Sequence, residues 1–147
     1  MERYIKFRGL RKDDGKWAYG DLASLKYPVL PYEAPMIMDQ DGAWEVDIET
    51  VGQFTGLADK NGKEIYESDI VELPLQSGER IKVICRFGTV QRKMDTGWMC
   101  DITGFYFQRS DGLNSFPIVK NYAGKHDLEL FEVVGNIYEH PELLVTN

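Results

Sequence analysis

Alternation of hydrophobic and polar positions with a period of two dominates this chain, and that period predicts strands. Ile5 and Phe7 point one way and Lys6 and Arg8 the other, a half-buried strand. Asp13-Asp14-Gly15 then supplies a turn, because glycine accepts positive φ and aspartate tolerates it. Lys16 to Leu22 returns as a strand with Trp17 and Tyr19 on one face. Lys60-Asn61-Gly62 marks a second, stronger hairpin, and the strand Ile70 to Leu73 follows, opened by Asp69 and stopped by Pro74. Further on, Ile81, Val83, Cys85 and Phe87 alternate with Arg80, Lys82, Ile84 and Arg86, which predicts one apolar and one largely basic face. Trp44 to Ile48, Val51 to Phe54, Trp98 to Gln108 and Leu128 to Tyr138 also read as extended, with Gly52 a bulge and Gly135 a bend.

Breaks in the pattern are as informative as the pattern. Pro28, Pro31 and Pro35 remove backbone donors, so residues 23 to 43 are expected to form an irregular loop or arm. His140-Pro141-Glu142-Leu143-Leu144 carries proline where a helix starts, and one short helical turn is expected there. The sum is a mainly β protein with very little helix. A small N-terminal β-hairpin unit with the Pro-rich loop is assigned to residues 1–50. A barrel-like β domain with the short C-terminal turn is assigned to residues 51–147.

One motif occurs twice. Phe7 to Tyr19 and Phe54 to Tyr66 share six of thirteen positions without a gap: Phe7/Phe54, Gly9/Gly56, Leu10/Leu57, Gly15/Gly62, Lys16/Lys63 and Tyr19/Tyr66. The shared residues are glycines, turn formers and hydrophobes, the types a backbone shape requires. None is a typical nucleophile or metal ligand, so the repeat describes architecture.

Composition narrows the class. A chain of 147 residues with 43% hydrophobic and 12% aromatic residues can bury a core without a metal or disulfide. No apolar run reaches the ~18 residues of a membrane span, and the start of the chain lacks a signal-peptide core. A cytoplasmic protein with no membrane partner is expected. Cys85 and Cys100 are then expected as thiols behaving like small hydrophobes. A zinc site from Cys85, Cys100, His126 and His140 would lack any local ligand spacing, so no metal and no cofactor are expected.

Charge adds candidate chemistry. The net charge is −7, with eleven acids against Lys60 and Lys63 between residues 39 and 79, while residues 80–93 carry five cations and no acid. Arg80, Lys82, Arg86, Arg92, Lys93 and Trp98 form a candidate binding strip in which aromatics could stack bases. The net acidity disfavours a polyanion partner. Glu64, Glu67, Asp69 and Glu72 form an acidic cluster that a hydrolase could use as paired carboxylates, or that could be a solvated rim. No catalytic residue is assigned. Trp17 and Tyr19 are candidates for a subunit contact, and segregated charge favours a homo-oligomer, a ring among the options.

Several stretches together carry a family resemblance. Ile5 to Gly9, Gly15 to Leu22, Val51 to Leu57, Asp59 to Glu67 and Val134 to Glu139 resemble the YopX family of phage and prophage proteins over nearly the whole chain. One departure is Ser68, where the family usually reads Glu-Gly-Asp-Ile-Val and its glycine would permit a positive φ in the turn. The resemblance implies a small cytoplasmic β-rich protein whose second half is laid out like an SH3-like barrel, and it supplies no catalytic residues. The expected role is binding and assembly without catalysis, with a phage or host protein as partner. An accessory part in phage DNA transactions is the alternative, and a hydrolase built on the acidic cluster the second.

Overall fold

Eleven antiparallel strands and two single-turn 3-10 segments make up the computed structural model, which describes residues 4–26, 28, 30–110, 115–117 and 129–145. The mainly β expectation holds. The chain divides into two units, Met1–Gly56 and Leu57–Asn147.

In the first unit the strands are β1 (Phe7–Leu10), β2 (Trp17–Leu25), β3 (Ala34–Asp39), β4 (Gly42–Glu45) and β5 (Gly52–Ala58), whose last two residues open the second unit. They pair in the order β4-β3-β2-β1-β5. Ala18, Ile37 and Val46 are the buried centre, with Phe7, Trp44 and Val51 packed on them. Gly9 is glycine for a spatial reason, since a Cβ there would stand 3.0 Å from the Val46 side chain. Between β4 and β5 the 3-10 turn Ile48–Thr50 is capped by Asp47, which accepts from the Glu49 amide at 3.1 Å. Thr50 Oγ1 ties that turn back to β1 by accepting from the Leu10 amide at 2.9 Å.

The irregular stretch expected over 23–43 is narrower than the prolines suggested. Pro28 and Pro31 lie between strands, but Pro35 is the second residue of β3 and stands opposite Ser24. Proline is tolerated near the start of a strand, where a missing donor matters least. The Pro35 carbonyl is still used, accepting from the Val46 amide at 3.1 Å.

The second unit contains β6 (Glu64–Tyr66), beside the end of β5, and β7 (Asp69–Pro74), β8 (Arg80–Lys93), β9 (Met99–Arg109), β10 (Ser115–Pro117) and β11 (Glu132–Asn136). The last five form a sheet in the order β10-β9-β8-β7-β11. Val133, Val71 and Val83 stand in one cross-strand row, and Cys85 faces Phe107. With Ile65 and Phe131 they form the core, where the Phe107 and Phe131 rings meet edge-on at 5.4 Å. The barrel expected here is not what the described strands form: the sheet is open, with β10 and β11 as unjoined edges. Closure needs the outer strands to pair, and β8 and β9 instead spend their extra length on each other.

Ser68 takes a left-handed φ of 73° although it is not glycine. Backbone bonds fix it there: its amide donates to Cys85 at 2.7 Å and its carbonyl accepts from Ile137 at 3.0 Å. The left-handed state costs a residue with a Cβ about 1–2 kcal/mol, and glycine's extra freedom in the unfolded chain returns about 0.5–1. Ser68→Gly is therefore expected to raise stability by about 0.5–1 kcal/mol despite losing the 3.3 Å contact with the Tyr138 hydroxyl. An upward shift of the denaturant midpoint at unchanged slope checks it; a downward shift would refute it.

The C-terminal turn forms at Pro141–Leu144 as a 3-10 segment with proline in its first turn. His140 does not cap it. Its Nδ1 instead accepts from the Asn136 amide at 3.3 Å.

Candidate functional site

The strip of cations singled out in the sequence lies on β8, and β8 is unusual in outrunning its neighbours. It pairs with β9 from Val83↔Arg109 to Lys93↔Met99. β7 accompanies it only from Arg80 to Ile84, and β10 accompanies β9 only from Tyr106 to Gln108. From Phe87 to Phe105 the two strands therefore form a ribbon paired only with itself among the described residues. Branched pairs stabilise such a ribbon, here Val90↔Ile102 and Thr89↔Thr103, whose hydroxyls lie 2.7 Å apart. At its base the Phe87 and Phe105 rings meet edge-on at 5.2 Å. Its tip is a tight turn, with the Met94 amide donating to Trp98 at 2.7 Å and Gly97 at φ +89°.

The ribbon exposes several large apolar side chains. Trp98 is 76% accessible, and Phe87, Met94 and Met99 are each about half accessible. Residues 87–105 carry Arg92 and Lys93 against Asp95 and Asp101, so the ribbon is neutral in a chain of charge −7. A neutral surface rich in exposed aromatic and methionine side chains suits a protein contact better than a phosphate backbone.

The cations do not act as one group. Arg80 reaches Glu72 through Nε and Glu132 at 3.7 Å through Nη2, and Lys82 stands in register with Glu72. Arg86 Nε donates to Gln108 Oε1 at 2.8 Å. By strand alternation Arg80, Lys82 and Arg86 share one face, and Lys93 falls on the other. Only Lys93 and Trp98 of the strip are exposed near the tip; the Arg92 side chain lies outside the described residues.

The other candidates disperse as well. Trp17 is covered by the Arg8 guanidinium, 4.3 Å from the ring centroid, while Tyr19 is 43% accessible. Beside them Arg11 stacks on Trp44 at 4.9 Å and pairs with Asp13 at 2.9 Å. The hydrogen bond from Arg11 holds the Asp13 carboxyl below its ordinary pKa. In the acidic cluster, Glu72 is engaged by Arg80, buried Asp69 accepts from the Tyr66 amide at 2.8 Å, and Glu64 accepts from the Tyr66 hydroxyl at 3.3 Å. Cys85 is buried in the core and Cys100 lies on the ribbon, neither of them in a disulfide. His126 lies outside the described residues, and no group of three metal-ligating side chains converges among those described.

Sequence reasoning missed the ribbon as a separate feature. Its signal was present, however: past Phe87 the face that had carried Val83 and Cys85 continues as Thr89, Gln91 and Lys93, so the core face runs out while the strand does not.

A family model described as YopX protein matches residues 6–145. No curated protein matches the chain. Among solved structures, protein EF1440 from Enterococcus faecalis is similar in fold, with a TM-score of 0.51 and 20% sequence identity over 98% of this chain and 100% of that one. At that identity the likeness concerns the fold alone. No helix among the described residues is long and apolar enough to cross a membrane.

Proposed function

The chain belongs to the YopX family, and within it we propose that this protein is a cytoplasmic, phage-type binding and assembly module without catalytic activity of its own. The observation that carries the reading is the neutral β8–β9 ribbon with Trp98, Met94 and Met99 exposed at its tip. Burying one such aromatic removes about 150–250 Å² from water, and exposed aromatics of this kind are the usual anchors of protein contacts. Self-association is the simplest use of the surface, with Tyr19 as a smaller second contact.

Sedimentation velocity tests it. The protein is expected to form species heavier than the monomer at tens of micromolar, and Trp98→Ala combined with Met99→Ser to abolish them while the circular dichroism spectrum stays unchanged. Monomer at every concentration, or oligomers indifferent to the double substitution, would overturn the reading. Accessory nucleic-acid binding is kept as a second reading because Lys93 and Trp98 lie together near the tip, where a base could stack. It requires single-stranded DNA binding at low salt that weakens steeply as salt rises.

A further inference from the structure

We infer that the ribbon tip of one copy docks in a groove on the first unit of a second copy; this rests on the reading of the ribbon as a protein-binding surface. The groove has a volume of about 460 Å³ and is lined by Leu22, Ala23, Ser24, Glu33, Pro35 and Ile48. Its walls come from β2, Pro35 of β3 and the 3-10 turn, with Glu33 just before β3 begins. Leu22 is 40% and Ile48 59% accessible, unusual for aliphatic side chains lining a concave surface. The volume lies within the roughly 300–1,000 Å³ of ordinary ligand pockets and accommodates an indole with room for a flanking methionine.

Chemistry selects the occupant. A buried indole needs an acceptor for its N–H, and the groove supplies the Glu33 carboxylate, whose Oε1 accepts from the Ser24 hydroxyl at 2.7 Å and faces Lys26 at 3.8 Å, leaving Oε2 for the indole. The rim is acidic: Asp21 precedes Leu22, and Asp47 and Glu49 flank Ile48, all exposed. Around Trp98, residues 92–99 carry Arg92 and Lys93 against Asp95, a local balance of +1 that complements the acidic rim. An apolar knob with an N–H donor and a cation nearby thus matches an apolar groove with a carboxylate and an acidic rim. Both surfaces belong to one chain, so they are present in equal number in any solution of it. Because knob and groove are different surfaces, the contact is heterologous, and copies joined this way close into a ring or extend as a chain.

A heterologous contact permits a test that an isologous one does not. Trp98→Ala removes the knob and keeps the groove, while Ile48→Asp spoils the groove and keeps the knob. Both positions are exposed, and Leu22→Asp is a second groove variant should Ile48→Asp disturb the 3-10 turn. Each full-length variant alone is expected to associate at least about thirty-fold more weakly than the parent by sedimentation from about 1 to about 200 µM. An equimolar mixture of Trp98→Ala with Ile48→Asp is expected to recover a 1:1 complex through the one remaining competent pair. A mixture that stays monomeric overturns the inference, as does a parent protein that is monomeric throughout. If both groove variants assemble like the parent while Trp98→Ala does not, the groove is wrong and the ribbon reading stands. If Trp98→Ala also assembles like the parent, both fall.

Discussion

Asp59→Ala is expected to destabilise the second unit by about 3–5 kcal/mol. The Asp59 carboxylate is 7% accessible and accepts three backbone hydrogen bonds. Oδ1 takes the Asn61 and Lys63 amides, both at 2.9 Å, which closes the turn between β5 and β6. Oδ2 takes the Val133 amide at 2.8 Å, which fastens that turn to β11 across 74 residues of chain. Hydrogen bonds to a charged acceptor contribute about 1.5–3 kcal/mol each, are not additive, and leave a buried donor stranded when the acceptor goes. Val133 is itself 9% accessible, so its amide has little water to turn to. A loss of this size is a large part of the 5–15 kcal/mol typical of a whole domain. The first copy of the motif provides the control. Asp14 is exposed, accepts one backbone amide, that of Lys16 at 3.0 Å, and makes a surface ion pair with Arg11 at 3.4 Å, so Asp14→Ala should cost no more than about 1 kcal/mol. Denaturant unfolding with hydrogen exchange read at Val133 separates the two; equal effects would show that the Asp59 network contributes nothing beyond a local turn.

That contrast indicates how far the repeated motif could be read in advance. Its hairpins are visible in the residues, because Asx-Gly pairs and period-two alternation are local signals, and Gly15 and Gly62 both adopt left-handed φ, 71° and 79°. The depth of each shared residue is not local. Tyr19 is 43% accessible whereas Tyr66 is 1%. Gly9 is required by the neighbouring Val46, whereas Gly56 has φ +85° and nothing within 4 Å of its absent Cβ. Identical letters thus answer to different constraints. The loops also differ by a residue: the first closes between Arg11 and Lys16 and the second between Asp59 and Lys63. The shorter one places Asp59 where it can reach Val133.

The candidate site was legible to the same degree. Alternation along β8 correctly separated Arg80, Lys82 and Arg86 from Val83 and Cys85. It could not show that Glu72 and Glu132 arrive beside Arg80 from other strands, which only the sheet order decides. The arm that the prolines suggested near residues 23–43 is largely strand, and the protruding element is a ribbon with no proline in it. Its strands set Thr89 against Thr103 and Val90 against Ile102, so they pair well there, and lack a second hydrophobic layer, so no sheet covers them among the described residues.

The first unit is expected to be most sensitive at Gly20, where Gly20→Ala should cost about 3–5 kcal/mol. Gly20 has φ +155°, and an added Cβ would stand 2.1 Å from the Met38 carbonyl oxygen. The obstacle is backbone, so no rotamer change relieves it; β2 and β3 must move apart. Strained backbone costs about 1–3 kcal/mol and overpacking a further 1–3. Gly15→Ala isolates the first contribution, since Gly15 has φ +71° and open space around it, and should cost about 1–2 kcal/mol. Trp17 and Trp44 both lie in this unit and report its unfolding by fluorescence. A unit of 56 residues has little stability in reserve, so Gly20→Ala should leave it largely unfolded at temperatures the Gly15 variant tolerates. The β2–β3 pairing that Gly20 permits also sets Ser24 opposite Pro35, with Leu22 and Ala23 just before it on β2, in the groove wall. The same substitution should therefore remove the groove's capacity to receive Trp98 even in the fraction that remains folded. Equal stability losses at Gly20 and Gly15 would show that β2 and β3 part without cost and that the close approach at Met38 is not what requires glycine.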